Sequence, residues 1–347
     1  MAKITLDATT IPTGSLILVT GAGGLIASWI VDKLLETGYR VRGTVRSVSR
    51  SSWMESFFAD RYGPGRFELV EVPDFGAPGA WDLPVKGVAG VAGVAGKAGL
   101  NLVDVDAALD LEVPFAYGLL KAAKEEPSVK SVVFTSSAWA AWTPDASKKT
   151  TLHEWSYNDD AVRIVRSKAP SEEKGLLGYM AVKTILEQRI WDWIRQEKPS
   201  YTFNTILPDS VFGATLSPEN QGIPSTCGVV KMIRDGRSSN LPALAPQRFV
   251  DTQDLAALYV AALVTPGVDR ERLFAFGNKY SYAKVAQVLQ KLEPGRKIPE
   301  IRDDVWDQTE VPNQRAEDLV RACTGRGWAT LEESISDCLD SIKKLEV

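Results

Sequence analysis

Tyr179 and Lys183 stand four residues apart, which would place a phenol and an ammonium group on one face of a helix. Upstream, the run Phe134-Thr-Ser-Ser-Ala138 contains two serines, and the segment Thr20-Gly-Ala-Gly-Gly-Leu-Ile-Ala27 is typical of a dinucleotide-binding turn. A hydroxyl, a phenol and an ammonium group that follow such a turn can hold a carbonyl oxygen and give it a proton. This combination predicts hydride transfer to or from a carbonyl group.

The spacing of tyrosine and lysine is not specific by itself. Two further pairs share it, Tyr117 with Lys121 and Tyr280 with Lys284. At least two of the three pairs must be coincidental, so their positions along the chain have to decide between them.

The segment around Gly21 is expected to bind the pyrophosphate of a dinucleotide. Gly21 can form the tight turn, Gly24 lets the backbone approach the pyrophosphate, and the small Ala27 lets the helix pack closely on the strand. A predicted strand over 15–20 and a predicted helix over 26–36 place this turn at a helix N-terminus, which favours an anion. A purely structural turn between strand and helix is the alternative.

The end of the second predicted strand, over 39–45, should select the cofactor. A carboxylate here would bind the ribose of NAD, but residues 39–54 include no acidic side chain. Arg46 is instead placed to form a charge-assisted pair with a 2′-phosphate. The sequence therefore predicts a preference for NADP(H), with a solvated surface cation as the alternative role of Arg46.

The composition of the 347 residues is that of an ordinary globular protein, with 24% charged and 44% hydrophobic residues. A net charge of −4 argues against a nucleic-acid partner, because neutralising phosphates needs a basic surface. Three widely spaced cysteines and a single histidine, His153, predict neither a disulfide framework nor a metal site. We find no apolar run long enough to cross a membrane and no signal peptide, so we expect a cytoplasmic protein.

Short apolar runs alternate with helical patterns in the first half of the chain, as in βαβ units with a parallel sheet. The predicted strands cover 15–20, 39–45, 66–72, 129–136 and 201–207, and a strand with its following loop covers 87–96. The predicted helices cover 26–36, 113–124 and 174–197. These elements predict a Rossmann-type α/β fold with a doubly wound parallel sheet.

A change in composition after Pro208 marks a smaller C-terminal part. Pro, Gly, Ser and Asn cluster over 209–226, which predicts a mobile loop rather than another βαβ unit. The later elements are predicted to be strands over 249–251 and 273–276, a helix from Asp254, and a final helix that opens with a capping box over 330–333.

We expect two domains from this pattern. Residues 1–208 would form the NADP-binding domain, to which residues 245–265 return. Residues 209–347 would form mainly a smaller α/β substrate-binding lid over the carboxyl edge of the sheet, where open α/β sheets bind their ligands.

An ordered set of motifs resembles the extended short-chain dehydrogenases/reductases along nearly the whole chain. The closest likeness is to NADPH-dependent aldehyde and carbonyl reductases and to dihydroflavonol reductases. The motifs are residues 19–27, 41–46, Asp74 with Phe75, 134–138, Tyr179 with Lys183, Thr184 and Glu187, Leu207 and Pro208 with Gly213, and Gly327 and Trp328 before 330–335. Each motif is weak alone, whereas their order along the chain is specific.

The resemblance implies which residues are catalytic. In this family the catalytic tyrosine follows the serine of the fifth strand and begins a long helix, which selects Tyr179 over Tyr117 and Tyr280. Tyr179 would then be the proton donor, and Lys183 would support it and bind the nicotinamide ribose. Ser137 directly precedes an alanine, as the family serine does, and would hold the substrate oxygen.

The resemblance also implies the residues that surround the cofactor and the substrate. Asp74 would bind the adenine amino group, Phe75 would lie near the adenine ring, and residues 208–213 would wrap the nicotinamide side. The expected cofactor contacts are Gly21, Gly23, Gly24, Leu25, Ile26, Arg46, Asp74, Phe75, Thr135, Lys183, Pro208 and Ser210. The expected lining of an aromatic, apolar substrate pocket is Phe115, Trp139, Trp142, Leu177 and Phe212.

Two regions depart from the family pattern. The loop after the fourth strand usually resembles Val-Ala-His-x-Ala-Ser, whereas here it carries Gly93 and Gly96. An asparagine that is frequent on the next helix is replaced by Gly118 in this interpretation. Both changes remove polar groups near the cofactor and predict an altered proton relay.

The leading prediction is an NADPH-dependent reductase of a hydrophobic ketone or aldehyde. We expect a small-molecule carbonyl substrate, no nucleic-acid or membrane partner, and a homodimer as one option. Dehydration, epimerisation or cyclisation on the same scaffold is the second prediction. A non-catalytic NADP-binding regulatory protein is the third, although such proteins usually lack the Tyr/Lys pair.

Overall fold

A parallel sheet with helices packed on its faces forms the larger part of the fold. The computed structural model describes residues 4–6, 8–96, 102, 104–167, 174–241, 244–302 and 306–346. The strands are β1 (Leu16–Val19), β2 (Arg40–Val45), β3 (Phe67–Glu71), β4 (Gly90–Gly93), β5 (Ser131–Thr135), β6 (Thr202–Pro208), β7 (Ser210–Phe212), β8 (Gln247–Asp251), β9 (Arg272–Ala275) and β10 (Lys279–Tyr280). The helices are α1 (Leu25–Glu36), α2 (Trp53–Tyr62), α3 (Val105–Glu125), α4 (Asp159–Ser167), α5 (Gly175–Glu197), α6 (Pro218–Gln221), α7 (Thr226–Arg234), α8 (Thr252–Val264), α9 (Tyr282–Leu292), α10 (Gln314–Thr324) and α11 (Leu331–Lys343).

The main sheet has the strand order β3-β2-β1-β4-β5-β6-β9, and every neighbouring pair is parallel. The order reverses between β1 and β4, and α/β sheets bind ligands in the crevice that such a reversal opens at the carboxyl ends of the strands. The predicted Rossmann-type α/β fold is confirmed.

Helices cover both faces of this sheet, as the side chains of β1 show. Ile17 and Val19 belong to the hydrophobic core under α1 and α8, whereas Leu18 belongs to the core under α3 and α5. All three residues are fully buried. A parallel strand covered on both faces needs such a continuous apolar run, and its alternate side chains enter opposite cores.

A second, three-stranded sheet forms the centre of a smaller lobe. β7 is parallel to β8, and β8 is antiparallel to β10. The helices α7, α9 and α11 pack against one another beside it. The predicted capping box is confirmed, because the Thr330 side chain accepts the backbone N–H of Glu333 and the Glu333 carboxylate accepts that of Thr330.

Three elements differ from their prediction. The segment 209–226 contains β7 and α6 where a loop was expected, because its polar and glycine residues separate two short elements instead of excluding them. α3 begins at Val105, two turns before the predicted start, since Asp104 caps its first turn. β9, placed by the sequence in the smaller lobe, extends the main sheet beside β6.

The helices were also compared with the requirements for crossing a membrane. Among the described residues, no helix combines the length and the apolar character that a bilayer span requires.

Candidate active site

Ser137 begins a tight turn at the carboxyl end of β5. Its backbone is extended, and its Oγ accepts the backbone N–H of Trp139 at 3.2 Å, which starts the 3₁₀ turn Ala138–Ala140. The hydroxyl of the neighbouring Ser136 is buried and has no hydrogen-bond partner among the residues that the structure describes. Of the two serines, Ser137 is therefore the one tied into the turn that faces α5.

Tyr179 and Lys183 lie in the first turns of α5, next to the Ser137 turn. The indole of Trp139 meets the ring of Tyr179 edge-on, with 5.8 Å between ring centroids and 87° between planes. Lys183 Nζ lies 5.7 Å from the centroid of the Tyr179 ring. The hydroxyl of Thr184 donates to the carbonyl oxygen of Ala140 at 3.4 Å, which fastens the turn to the helix.

The charge on Lys183 is supported by its surroundings. Burial alone lowers the pKa of Lys183, but the neighbouring Tyr179, Glu112 and Glu187 outweigh burial and raise it above the ordinary lysine value. The side chain therefore stays an ammonium ion through the neutral range. An ammonium ion beside a phenol stabilises the phenolate that forms when the phenol gives up its proton.

A buried ion pair fixes α5 one turn beyond Lys183. Two guanidinium nitrogens of Arg272 donate to the two carboxylate oxygens of Glu187, each at 2.9 Å, and Thr205 donates to the same carboxylate at 2.9 Å. Arg272 also donates to the carbonyl oxygens of Glu154 and Ser156 at 2.7 and 2.8 Å. The pair thus joins α5, β6, β9 and the loop before α4.

The glycine-rich turn between β1 and α1 fits a dinucleotide pyrophosphate. Gly21 has a φ of +66°, and a Cβ there would approach the Cβ of Ala95 to 3.2 Å. Gly24 is the N-cap of α1. Because it has no side chain to accept a hydrogen bond from the first N–H groups of the helix, these groups can bind an anion. Gly23 and Gly24 lie under Gln221 of α6, whose amide donates to the carbonyl oxygen of Gly23 at 3.0 Å.

The other predicted cofactor residues lie along the same edge of the sheet. Leu25 is buried and Ile26 half-buried in the first turn of α1, and Arg46 is exposed directly after β2. Asp74 is exposed after β3, where its carboxylate accepts the backbone N–H of Gly76 at 3.0 Å. The ring of Phe75 is turned into the core, 5.3 Å from the ring of Trp81 and 5.6 Å from that of Phe115.

Three further cofactor predictions fall at the ends of β5 and β6 and at the start of β7. The Thr135 hydroxyl is hydrogen-bonded to the Tyr259 hydroxyl, so part of its hydrogen-bonding capacity is already used. Pro208 is buried, and the Ser210 hydroxyl is hydrogen-bonded to that of Tyr280 at 2.7 Å.

The predicted pocket residues separate into two groups. Trp139, Trp142 and Leu177 belong to one apolar cluster that includes Tyr179. Phe115 instead packs in the core under α3, with its ring 5.5 Å from that of Trp81. Phe212 packs inside the smaller lobe, with its ring 4.8 Å from that of Tyr280. The pocket position predicted for Phe115 and Phe212 therefore has no support from their packing.

Glu112 near Lys183 was not foreseen from the sequence. Gly118, taken as the position that replaces the family asparagine, contacts Trp81, and a Cβ on it would lie 3.2 Å from that indole. The α3 residue that approaches Lys183 is Glu112, which is only 2% exposed. The sequence contained one signal for Glu112. This charged residue lies three positions after Leu109 and so falls on the apolar face of α3.

A model of the NAD-dependent epimerase/dehydratase family matches residues 17–273. The chain belongs to this family. The resemblance to the extended short-chain dehydrogenases/reductases is thereby confirmed.

Similar proteins in this family include named reductases. Ketoreductase adrE of Penicillium rubens is 37% identical over 332 residues, which are 94% of this chain and 96% of that protein. Aldehyde reductase 2 of Sporidiobolus salmonicolor is 34% identical and covers 98% of this chain and 99% of its own length. The crystal structure of Gre2 in complex with NADPH from Candida albicans has a TM-score of 0.82 at 22% identity and covers 97% of this chain and 100% of its own. At that identity, the structural likeness establishes the fold.

Proposed function

We propose that this family member reduces a hydrophobic ketone or aldehyde to an alcohol with NADPH, and that Tyr179 is the proton donor. The observation that carries the proposal is the meeting of Tyr179, Lys183 and the Ser137 turn at the sheet edge where the glycine-rich turn also lies. The reductase names of the relatives support the same reaction.

The residues divide the reduction into binding and proton transfer. NADPH, when bound, supplies the hydride to the carbonyl carbon. The Tyr179 hydroxyl gives its proton to the carbonyl oxygen, and the Ser137 hydroxyl donates a hydrogen bond to the same oxygen. The ammonium of Lys183 stabilises the phenolate left on Tyr179. Trp139, Trp142 and Leu177 form the apolar wall next to Tyr179, which suits an aryl substrate.

The turn at 21–26 would hold the pyrophosphate, and Arg46 would pair with the 2′-phosphate. Asp74 and the backbone of Phe75 would bind the adenine end. The backbone of Thr135, with Lys183, Pro208 and Ser210, would surround the nicotinamide end.

Tyr179→Phe tests the proton donor. We expect turnover of NADPH with an aryl aldehyde to fall at least about a hundredfold, because a phenyl ring has no proton to give. NADPH binding, followed by the fluorescence of the bound cofactor, should be unchanged. Tyr117→Phe is the matched control, since it removes the hydroxyl of another Tyr/Lys pair and should keep full turnover. A fully active Tyr179→Phe enzyme would contradict the proposal.

Arg46→Asp tests the choice of cofactor. The ratio of kcat/KM for NADPH to that for NADH should fall by about 10- to 100-fold, which corresponds to one charge-assisted hydrogen-bonded pair. Arg40→Asp at the other end of β2 is the control and should leave the ratio unchanged. An unchanged ratio in Arg46→Asp would exclude the proposed phosphate contact.

The family name also covers epimerases and dehydratases, so the assay must separate these reactions. NADPH consumption is measured with a panel of aryl ketones and aldehydes. Product formation without net NADPH consumption would favour isomerase-type chemistry, and NADPH binding without any product would favour a regulatory protein. The homodimer stays a prediction.

A further inference from the structure

A carboxylate and the site lysine both lie close to one glycine. Gly96 follows β4, Glu112 lies on α3 and Lys183 lies on α5. A Cβ on Gly96 would lie 3.6 Å from Lys183 Nζ, and 3.8 and 3.9 Å from the two carboxylate oxygens of Glu112. The ammonium and the carboxylate therefore border one small space, which the missing side chain of Gly96 leaves open.

Glu112 is a charged residue on an otherwise apolar helix face. The residue is 2% exposed on a helix face whose neighbours Leu109, Phe115 and Ala116 are buried and apolar. A buried carboxylate is costly in such surroundings unless an opposite charge lies nearby. Lys183 provides such a charge, on the neighbouring helix of the same layer.

Three groups of the described residues act on the charge of Lys183. Tyr179 and Glu187 lie on its own helix, and Glu112 lies on α3. The carboxylate of Glu187 is already bonded by Arg272 and Thr205. Glu112 is therefore the carboxylate that reaches Lys183 from outside α5.

We propose that Glu112 is a positioning residue for the reduction, which acts through Lys183 by holding its ammonium group charged and oriented beside Tyr179. The proposal rests on the proposed function. It also gives Gly96 a role, because a larger side chain there would enter the space that both charged groups border. The loss of polar groups at positions 96 and 118 is thus accompanied by a charged group at 112.

Glu112→Gln tests the proposal, because glutamine keeps the size of the side chain and removes its charge. For NADPH-dependent reduction of an aryl aldehyde, we expect kcat at pH 7 to fall about tenfold, less than for loss of the proton donor itself. KM for NADPH should change less than about twofold. The alkaline limb of the kcat–pH profile should move to lower pH, because Lys183 loses one of the charges that raise its pKa.

Two further variants complete the test. Glu125→Gln lies at the exposed end of the same helix and should match the wild type in kcat and in the alkaline limb. Glu112→Asp withdraws the carboxylate and should give an intermediate shift. If Glu112→Gln does not fold, the kcat–pH profile of Glu112→Asp is used instead. An alkaline limb at the same pH as in the wild type would overturn the inference.

The result is distinguishable from a failure of the proposed function. An inactive Tyr179→Phe enzyme together with a folded Glu112→Gln enzyme of wild-type kcat and pH profile overturns only the role of Glu112. A fully active Tyr179→Phe enzyme overturns the proposed function itself.

Discussion

Two arginines, the buried Arg272 behind α5 and the half-buried Arg248 in the smaller lobe, meet their carboxylates in different ways. Arg272 and Glu187 form two hydrogen bonds of 2.9 Å, and the exposure of their side chains is 0% and 2%. Arg248 Nε lies 3.7 Å from Asp307 Oδ2, and neither of these two atoms has a hydrogen-bond partner among the described residues. The first pair is fully satisfied, and the second is not.

The difference lies in how completely the polar atoms of each pair are hydrogen-bonded. A buried ion pair is stable only when its remaining donors and acceptors are also bonded. The pair of Arg272 and Glu187 meets the condition, because Glu187 also accepts the Thr205 hydroxyl and Arg272 also donates to two loop carbonyls. This network ties α5 to β6 and β9 one turn beyond Lys183. Around Arg248 the guanidinium donates to the carbonyl oxygens of Gly277 and Thr309, at 3.1 and 3.2 Å, but makes no hydrogen bond to the carboxylate of Asp307.

Breaking the satisfied pair should have the largest effect. Arg272→Met leaves the Glu187 carboxylate buried without its ionic partner, and we expect the free energy of unfolding to fall by about 3–5 kcal/mol. Urea denaturation of the wild type and of Arg272→Met measures this loss. Arg248→Met is the matched variant and should lose less than half as much, because its ion pair is long and unbonded. Equal losses would show that the two arginines are equivalent and would break the comparison.

The parts of the fold that follow from local pattern were predictable. The apolar strands, the glycine-rich turn and the order of Ser137, Tyr179 and Lys183 depend on neighbours along the chain or on repeated periodicity. The capping box at Thr330 is also a local signal, and the structure contains it.

The residues that depend on tertiary packing were not predictable in the same way. The rings of Phe75, Phe115 and Phe212 turn into cores because partners from distant segments lie there. Glu112 meets Lys183 only because α3 and α5 pack on the same face of the sheet. β9 joins the main sheet through pairing with β6, which no local pattern specifies.

A smaller effect on the free energy of unfolding is expected from the titration of Asp209 in the smaller lobe. Burial raises the pKa of Asp209 to about 8, although its carboxylate accepts the backbone N–H groups of Ser210 and Arg248. The folded protein therefore keeps a proton on Asp209 that the unfolded chain, with an ordinary aspartate pKa, loses near pH 4. The resulting stabilisation is complete below pH 4 and is lost as the pH rises towards 8.

Asp209→Asn removes this titration, so only the pH dependence carries the prediction. From pH 6 to pH 7 the free energy of unfolding of the wild type should fall by about 1 kcal/mol more than that of Asp209→Asn. The exposed Asp60→Asn variant should follow the wild-type slope. Parallel curves for the wild type and Asp209→Asn would mean that Asp209 is ionised in the folded protein. Arg248 would then have a second anionic neighbour besides Asp307, and the contrast with Arg272 would lose its basis.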